Sequence, residues 1–309
     1  MADAHAAPHH DYHLVNPSPW PLIASVATTL MMVGAVVWMK GLVTVDPDAA
    51  MSVASALLAK GDKALFFAGL AGVLMAAFGW WADVINESKA GDHTPVVSIG
   101  LRYGMMLFIV SEIMFFAAFF WIFFEMAVFN EARAHIPEIS GWADTAKAWS
   151  TWPPKGIETL DAWQLPLLNT VILLLSGTTV TWAHHALQVG DRKAAKIGLA
   201  ITVVLGALFS AVQVYEYYHI LHENLFFNAE AANSGLYGSI FFMATGFHGF
   251  HVLLGTIFLL VCLLRLMAGQ MSPEKHFGFE AAAWYWHFVD VVWPVSYTHL
   301  RAHETKANL

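Results

Sequence analysis

MMLFIVSEIMFFAAFFWIFFEMAVF, residues 105–129, is apolar throughout except for Ser111, Glu112 and Glu125. As a helix these residues would extend about 37 Å at about 1.5 Å each, more than the roughly 30 Å of a bilayer's hydrocarbon core. The stretch therefore reads as a membrane span with a carboxylic acid near its middle. An isolated acid at that depth costs roughly 2.5 to 3.5 kcal/mol on insertion scales, so Glu112 is expected to be protonated, paired or beside water. No basic residue lies within one helical turn of it, which favours the protonated form unless another helix supplies a partner. Glu112 is accordingly the first candidate functional residue.

The rest of the 309-residue chain fits the same environment. It is 58% hydrophobic and only 12% charged, with a mean hydropathy of +0.55, against about 25% charged residues in an average soluble domain. Five further stretches approach the length of a span: residues 20–39, 64–82, 165–183, 197–218 and 237–264. A seventh, residues 281–293, is too short to cross alone. The fold class is all-α, a polytopic bundle of membrane helices with the last one truncated. Residues 1–19 form a polar N-terminal arm, residues 20–293 a single membrane domain, and residues 294–309 a tail. The net charge of -8 leaves no basic surface for nucleic acid, and the single Cys262 permits neither an internal disulfide nor a thiolate metal site.

Loop charges suggest the orientation. Arg192, Lys193 and Lys196 lie between spans four and five, and Arg265 and Lys275 between six and seven, whereas residues 219–235 carry Glu223 and Glu230 and no Lys or Arg. The positive-inside rule then places the N-terminus in the cytoplasm, although Lys40, Lys60 and Lys63 fall on the outer side. The long connection 130–163, with Pro137, Pro153 and Pro154, reads as an outer loop.

Polar residues inside the spans supply the other candidates. Asn169 and Ser176 are seven apart on one helical face beside Gly177, a pattern of close helix packing. Glu216, His219 and His222 form E-x-x-H-x-x-H, and His248 and His251 are three apart, as are His287 and Asp290. Imidazole and carboxylate suit iron or zinc. The His184/His185 and His219/His222 groups, however, sit at opposite ends of their spans and cannot share one ion. Glu216, His248, His251, His287 and Asp290 are therefore expected to form buried polar pairs, with no metal bound by the chain. The histidines of the arm, His5, His9, His10 and His13, read as part of a solvated tail.

Six longer motifs, in order, carry a family resemblance: GLRYGMMLFIVSEIMFF (100–116), PLLNT (166–170), TWAHHAL (181–187), EYY (216–218), YGSIFFMATGFHGFHVLLGTIFL (237–259) and HFGFEAAAWYWHFVDVVW (276–293). Together they resemble subunit III of the aa3-type haem-copper cytochrome c oxidases over residues 14–293. The resemblance implies seven transmembrane helices, two plus five, split by a cleft filled with structural phospholipid. It implies no redox cofactor in this chain, since haem a and copper belong to subunits I and II, its partners. It implies a non-catalytic role, stabilising a proton-pumping complex and supporting proton uptake and turnover. It places Glu112 as the intramembrane carboxylate facing the cleft and Arg102 as a lipid-binding residue. The expected location is a bacterial inner membrane, or the mitochondrial inner membrane in a eukaryote. Two rivals compete: a membrane di-iron or haem enzyme using the histidine pairs, and a proton carrier using Glu112. Residues 295–305, VSYTHLRAHET, read as a frame translation of a sequencing adapter, so residues 294–309 are expected to be non-native.

Overall fold

A computed structural model describes residues 12, 17–43, 53–134, 152–153, 161–223 and 235–302. The N-terminal histidines, most of the long connection 130–163, the acidic loop after residue 223 and the tail beyond residue 302 lie outside the described residues. The described chain is helical: α1 (Trp20–Lys40), α2 (Val53–Leu57), α3 (Ala64–Ala90), α4 (Pro95–Val128), α5 (Asn130–Ala134), α6 (Leu165–Gln188), α7 (Arg192–Glu223), α8 (Gly235–Met267) and α9 (Phe277–Tyr297). Six of these, α1, α3, α4, α6, α7 and α8, are long and apolar enough to cross a membrane. The all-α polytopic bundle expected from the sequence is the architecture observed.

The helices outrun the apolar runs that announce them, because hydropathy marks hydrocarbon depth and not where backbone hydrogen bonding stops. The third helix continues through the polar NESKA segment and ends at Gly91, whose φ of 95° admits the left-handed closing turn. The seventh begins at Arg192, where the Asp191 side chain accepts from the backbone N–H groups of Lys193 and Ala194 at 3.1 and 3.0 Å. The last is longer than the expected 281–293 run and passes through Pro294. Its 21 residues rise about 32 Å, a full hydrocarbon thickness. Beyond Trp293, the Tyr297 hydroxyl donates to the Ala162 carbonyl at 3.1 Å and Leu300 is buried.

By compactness the chain divides into two units, Met1–Leu101 and Arg102–Leu309. In the first, α1 and α3 pair so closely that glycine is required at the contact. A Cβ on Gly69 would run into the Met31 backbone, and one on Gly34 into the Phe66 backbone. Gly34 of α1 with Gly69 and Gly72 of α3 thus forms a packing seam. At the other end of the pair the Trp20 indole donates to Asp83 at 2.5 Å, across the helix wall that Gly79 leaves open.

In the second unit α9 is the hub, packed against both α6 and α8. Two of its tryptophans, Trp286 and Trp293, are fully buried, and each of these indole N–H groups has a hydroxyl partner on α6. Trp286 donates to Ser176 Oγ and Trp293 to Thr170 Oγ1, both at 2.9 Å. Those hydroxyls spend their own protons on carbonyls of α6, Leu173 and Pro166, so their lone pairs face the indoles. Glycines make room for the Trp286 ring: a Cβ on Gly206 of α7 or Gly255 of α8 would press into it.

Two substitutions test this packing. Ser176→Ala leaves the Trp286 N–H unpaired in a dry core and should lower stability by about 1 to 3 kcal/mol in detergent unfolding. Gly255→Ala should destabilise by a similar amount through overpacking against Trp286. Wild-type unfolding curves for both variants would contradict the hub.

Candidate functional site: acid and imidazole pairs

Glu112 lies on α4, and its partner comes from α8. Glu112 Oε2 is 2.9 Å from His251 Nε2, and the side chains are 22% and 9% exposed. The other ring nitrogen decides the chemistry. His251 Nδ1 stands 2.6 Å from the Phe247 carbonyl oxygen, which can only accept, so Nδ1 carries a hydrogen. Nε2 then either receives a proton from the Glu112 carboxyl group or holds one and donates it to the carboxylate. Either way one proton is shared and the pair is neutral overall, which hydrocarbon tolerates; an unpaired carboxylate there would be poorly solvated. Aromatic rings enclose the imidazole, with Phe116, Phe288 and Tyr285 at centroid distances of 5.1, 6.1 and 6.3 Å.

A second pair has the same logic. His287 Nδ1 is 3.1 Å from Asp290 Oδ2, and His287 Nε2 is 3.1 Å from Thr181 Oγ1 on α6. The threonine hydroxyl donates to the Gly177 carbonyl at 3.0 Å, so it accepts from His287 and Nε2 carries a hydrogen. The proton between Nδ1 and the buried Asp290 is again the only one in question. Gly177 matters here, since a Cβ at that position would collide with Asp290 Oδ2.

Arg102, at the other end of α4 from Glu125, meets Glu280 of α9. Nε lies 3.2 Å from both carboxylate oxygens and Nη2 3.0 Å from Oε2. The arginine is 47% exposed and the glutamate 16%, so the pair contributes at most about 1 kcal/mol and its value is in positioning. Among the described residues Nη1 makes no hydrogen bond.

The remaining candidates separate. Glu216 is buried and accepts from Gln213 Nε2 at 3.2 Å, whereas His219 and His222 are exposed on another face of α7. The E-x-x-H-x-x-H pattern therefore does not converge, because six residues along a helix turn well past a full circle. His248 Nε2 donates to the Val289 carbonyl at 3.0 Å and its ring packs on Trp293 at 4.9 Å. Among the described residues no three His, Cys, Asp or Glu side chains gather into a group that could hold a metal ion. Asn169, expected at a packing face, is fully buried.

The partner of Glu112 is 139 residues away in sequence, and that of Arg102 is 178 away. Neither pairing is visible from helical spacing, which reaches only three or four residues. The sequence signal available was the set of buried polar residues in spans six and seven, not their assignment.

Known proteins share this chain nearly end to end. A profile of the family described as "Cytochrome c oxidase subunit III" matches residues 10–302. The chain belongs to this family. Cytochrome c oxidase subunit 3 of Prototheca wickerhamii is 49% identical over 285 residues, covering 92% of this chain and 94% of that protein. The Triticum aestivum protein of the same name is 47% identical with 92% and 93% coverage, and that of Scyliorhinus canicula 46% identical with 96% and 98%. The family places the chain in an oxidase complex as a multi-pass membrane protein.

His251→Leu isolates Glu112 in apolar surroundings, where the acid should hold its proton. Infrared difference spectra between this variant and one also carrying Glu112→Gln should show a carboxylic acid C=O band from Glu112 and no carboxylate band. A carboxylate signal would contradict the shared-proton description.

Proposed function

We propose that this chain is the non-redox subunit of a proton-pumping cytochrome c oxidase, holding the complex together and supporting proton uptake and turnover. The catalysis belongs to subunits I and II, which carry haem a and copper. The observation that bears most on this reading is the state of the chain's own imidazoles. His251 and His287 have both ring nitrogens engaged by carbonyl, carboxyl or hydroxyl groups, and His248 gives Nε2 to the Val289 carbonyl, the arrangement of polar satisfaction and not of ligation.

Glu112 is the functional carboxylate within that role. Its shared proton keeps the pair neutral at rest, while a side chain 22% exposed leaves it open to lipid and to water entering between lipids. Arg102 is the lipid contact: Glu280 fixes one edge of the guanidinium, and Nη1 remains for a headgroup phosphate. The loop charges support a cytoplasmic N-terminus, which puts the Arg102 end of α4 at the cytoplasmic edge. The location is then a bacterial inner membrane, or its mitochondrial counterpart. Neither the di-iron or haem enzyme nor the proton carrier has a specific observation in its favour.

The test is Glu112→Gln in the assembled oxidase. Haem spectra and subunit content should stay as in the wild type, while proton uptake slows or activity decays sooner during sustained turnover. Loss of the haem signal would overturn the division of labour, and unchanged uptake and lifetime would remove Glu112 from it.

A further inference from the structure

The middle of the last helix is mostly buried, with Phe279, Ala282, Trp286, Val289, Asp290 and Trp293 among its enclosed residues. Between Ala281 and Trp293 three residues escape, Trp284, His287 and Val291, spaced three and four residues apart along one line. His287, in the middle of that stripe, is 43% exposed. It sits ten residues into α9, about 15 Å from the helix start and so near the centre of a hydrocarbon layer about 30 Å thick. Thr181, its partner, lies seven residues before the end of α6, about 10 Å in. On α6 the neighbouring outward positions are Leu174, Thr178 and Thr181, of which Thr178 spends its hydroxyl on the Leu175 carbonyl.

Lipid tails are a poor cover for such a surface. A half-exposed imidazole, linked to a carboxyl group that is only 9% exposed, would present polar atoms to hydrocarbon at the depth where water is scarcest. Polar residues in membrane spans face protein or a water-filled space far more often than lipid. The flanking Val291 and Leu174 are exposed and apolar, which suits a helix and not an aqueous channel. Membership of a multi-subunit oxidase supplies candidates for that helix.

We infer that the α6/α9 stripe centred on His287 and Thr181 is a docking face for a transmembrane helix of another oxidase subunit, one that is apolar except for a hydrogen-bonding side chain at mid-depth. Thr181 Oγ1, which has given its proton to Gly177 and accepts one from His287, still has acceptor capacity toward that side chain. The inference rests on the oxidase-subunit reading and adds which surface carries the assembly.

Photo-crosslinking in the intact purified complex tests it. A benzophenone amino acid replacing Val291 or Thr178 should crosslink to a larger, haem-bearing polypeptide of the complex. The same probe at Val204, exposed on α7, serves as the comparison and should label mainly lipid. Lipid or detergent adducts alone at both Val291 and Thr178 would overturn the docking face while leaving the oxidase reading intact. Failure of the tagged wild-type chain to co-purify with any haem protein would instead sink the reading beneath it. As a second measurement, His287→Leu combined with Asp290→Asn removes the polar pair without stranding a charge. Recovery of the haem-bearing subunit with this variant should fall at least tenfold after mild detergent extraction, and undiminished recovery would count against the face.

Discussion

A polar atom held away from water costs free energy unless a partner in the protein receives it, and that constraint organises the contacts between helices in the second unit of this chain. The two buried indoles of α9 reach hydroxyls on α6, the hydroxyls turn their protons to their own helix, and the acids meet imidazoles. The indole bonds, the Glu112–His251 pair and the His287–Thr181 bond each join two helices at a fixed depth and register. Apolar packing alone distinguishes poorly between registers in a bilayer, since lipid is as apolar as leucine. The directional bonds between helices supply what hydrophobicity cannot.

The acid and imidazole pairs share a design in which the far ring nitrogen is pinned to an acceptor. Pinning removes the freedom of the ring to change tautomer, so the proton count of each pair becomes one. A pair with one proton can be written as two neutral groups or as an ion pair, and the transition between them moves a proton less than an ångström without changing the net charge. That is compatible with an apolar setting, whereas gaining or losing a proton is not. The proposed supporting role for Glu112 follows from this economy: a group that exchanges its proton only when water or a lipid rearrangement reaches it.

The fold was legible from the chain because spans of about 20 apolar residues have few alternatives to being membrane helices. Six stretches became helices that begin or end within a few residues of their apolar limits on at least one side, as at Ala64 and Leu165. Boundaries were less legible: Pro95–Val128 starts ten residues ahead of its apolar core, since a helix leaves the hydrocarbon without unwinding. Glu112 was legible as a costly residue, Arg102 only through the family resemblance, and His287 with Asp290 as a local pair. The partners His251 and Glu280 were not assigned, because contacts between helices distant in sequence depend on how the bundle is assembled. Thr170 was passed over beside Asn169 and Ser176, although it takes the Trp293 indole. A hydroxyl that bonds its own helix gives no sign in sequence that it also accepts from another.

In the proposed role this chain supports redox chemistry carried by its neighbours. Separating it from the purified oxidase and measuring haem and copper in both fractions is the decisive measurement of that role. The metals and the haem absorption should remain with the other subunits, whose activity then decays faster during turnover. Haem or stoichiometric transition metal travelling with this chain would contradict it.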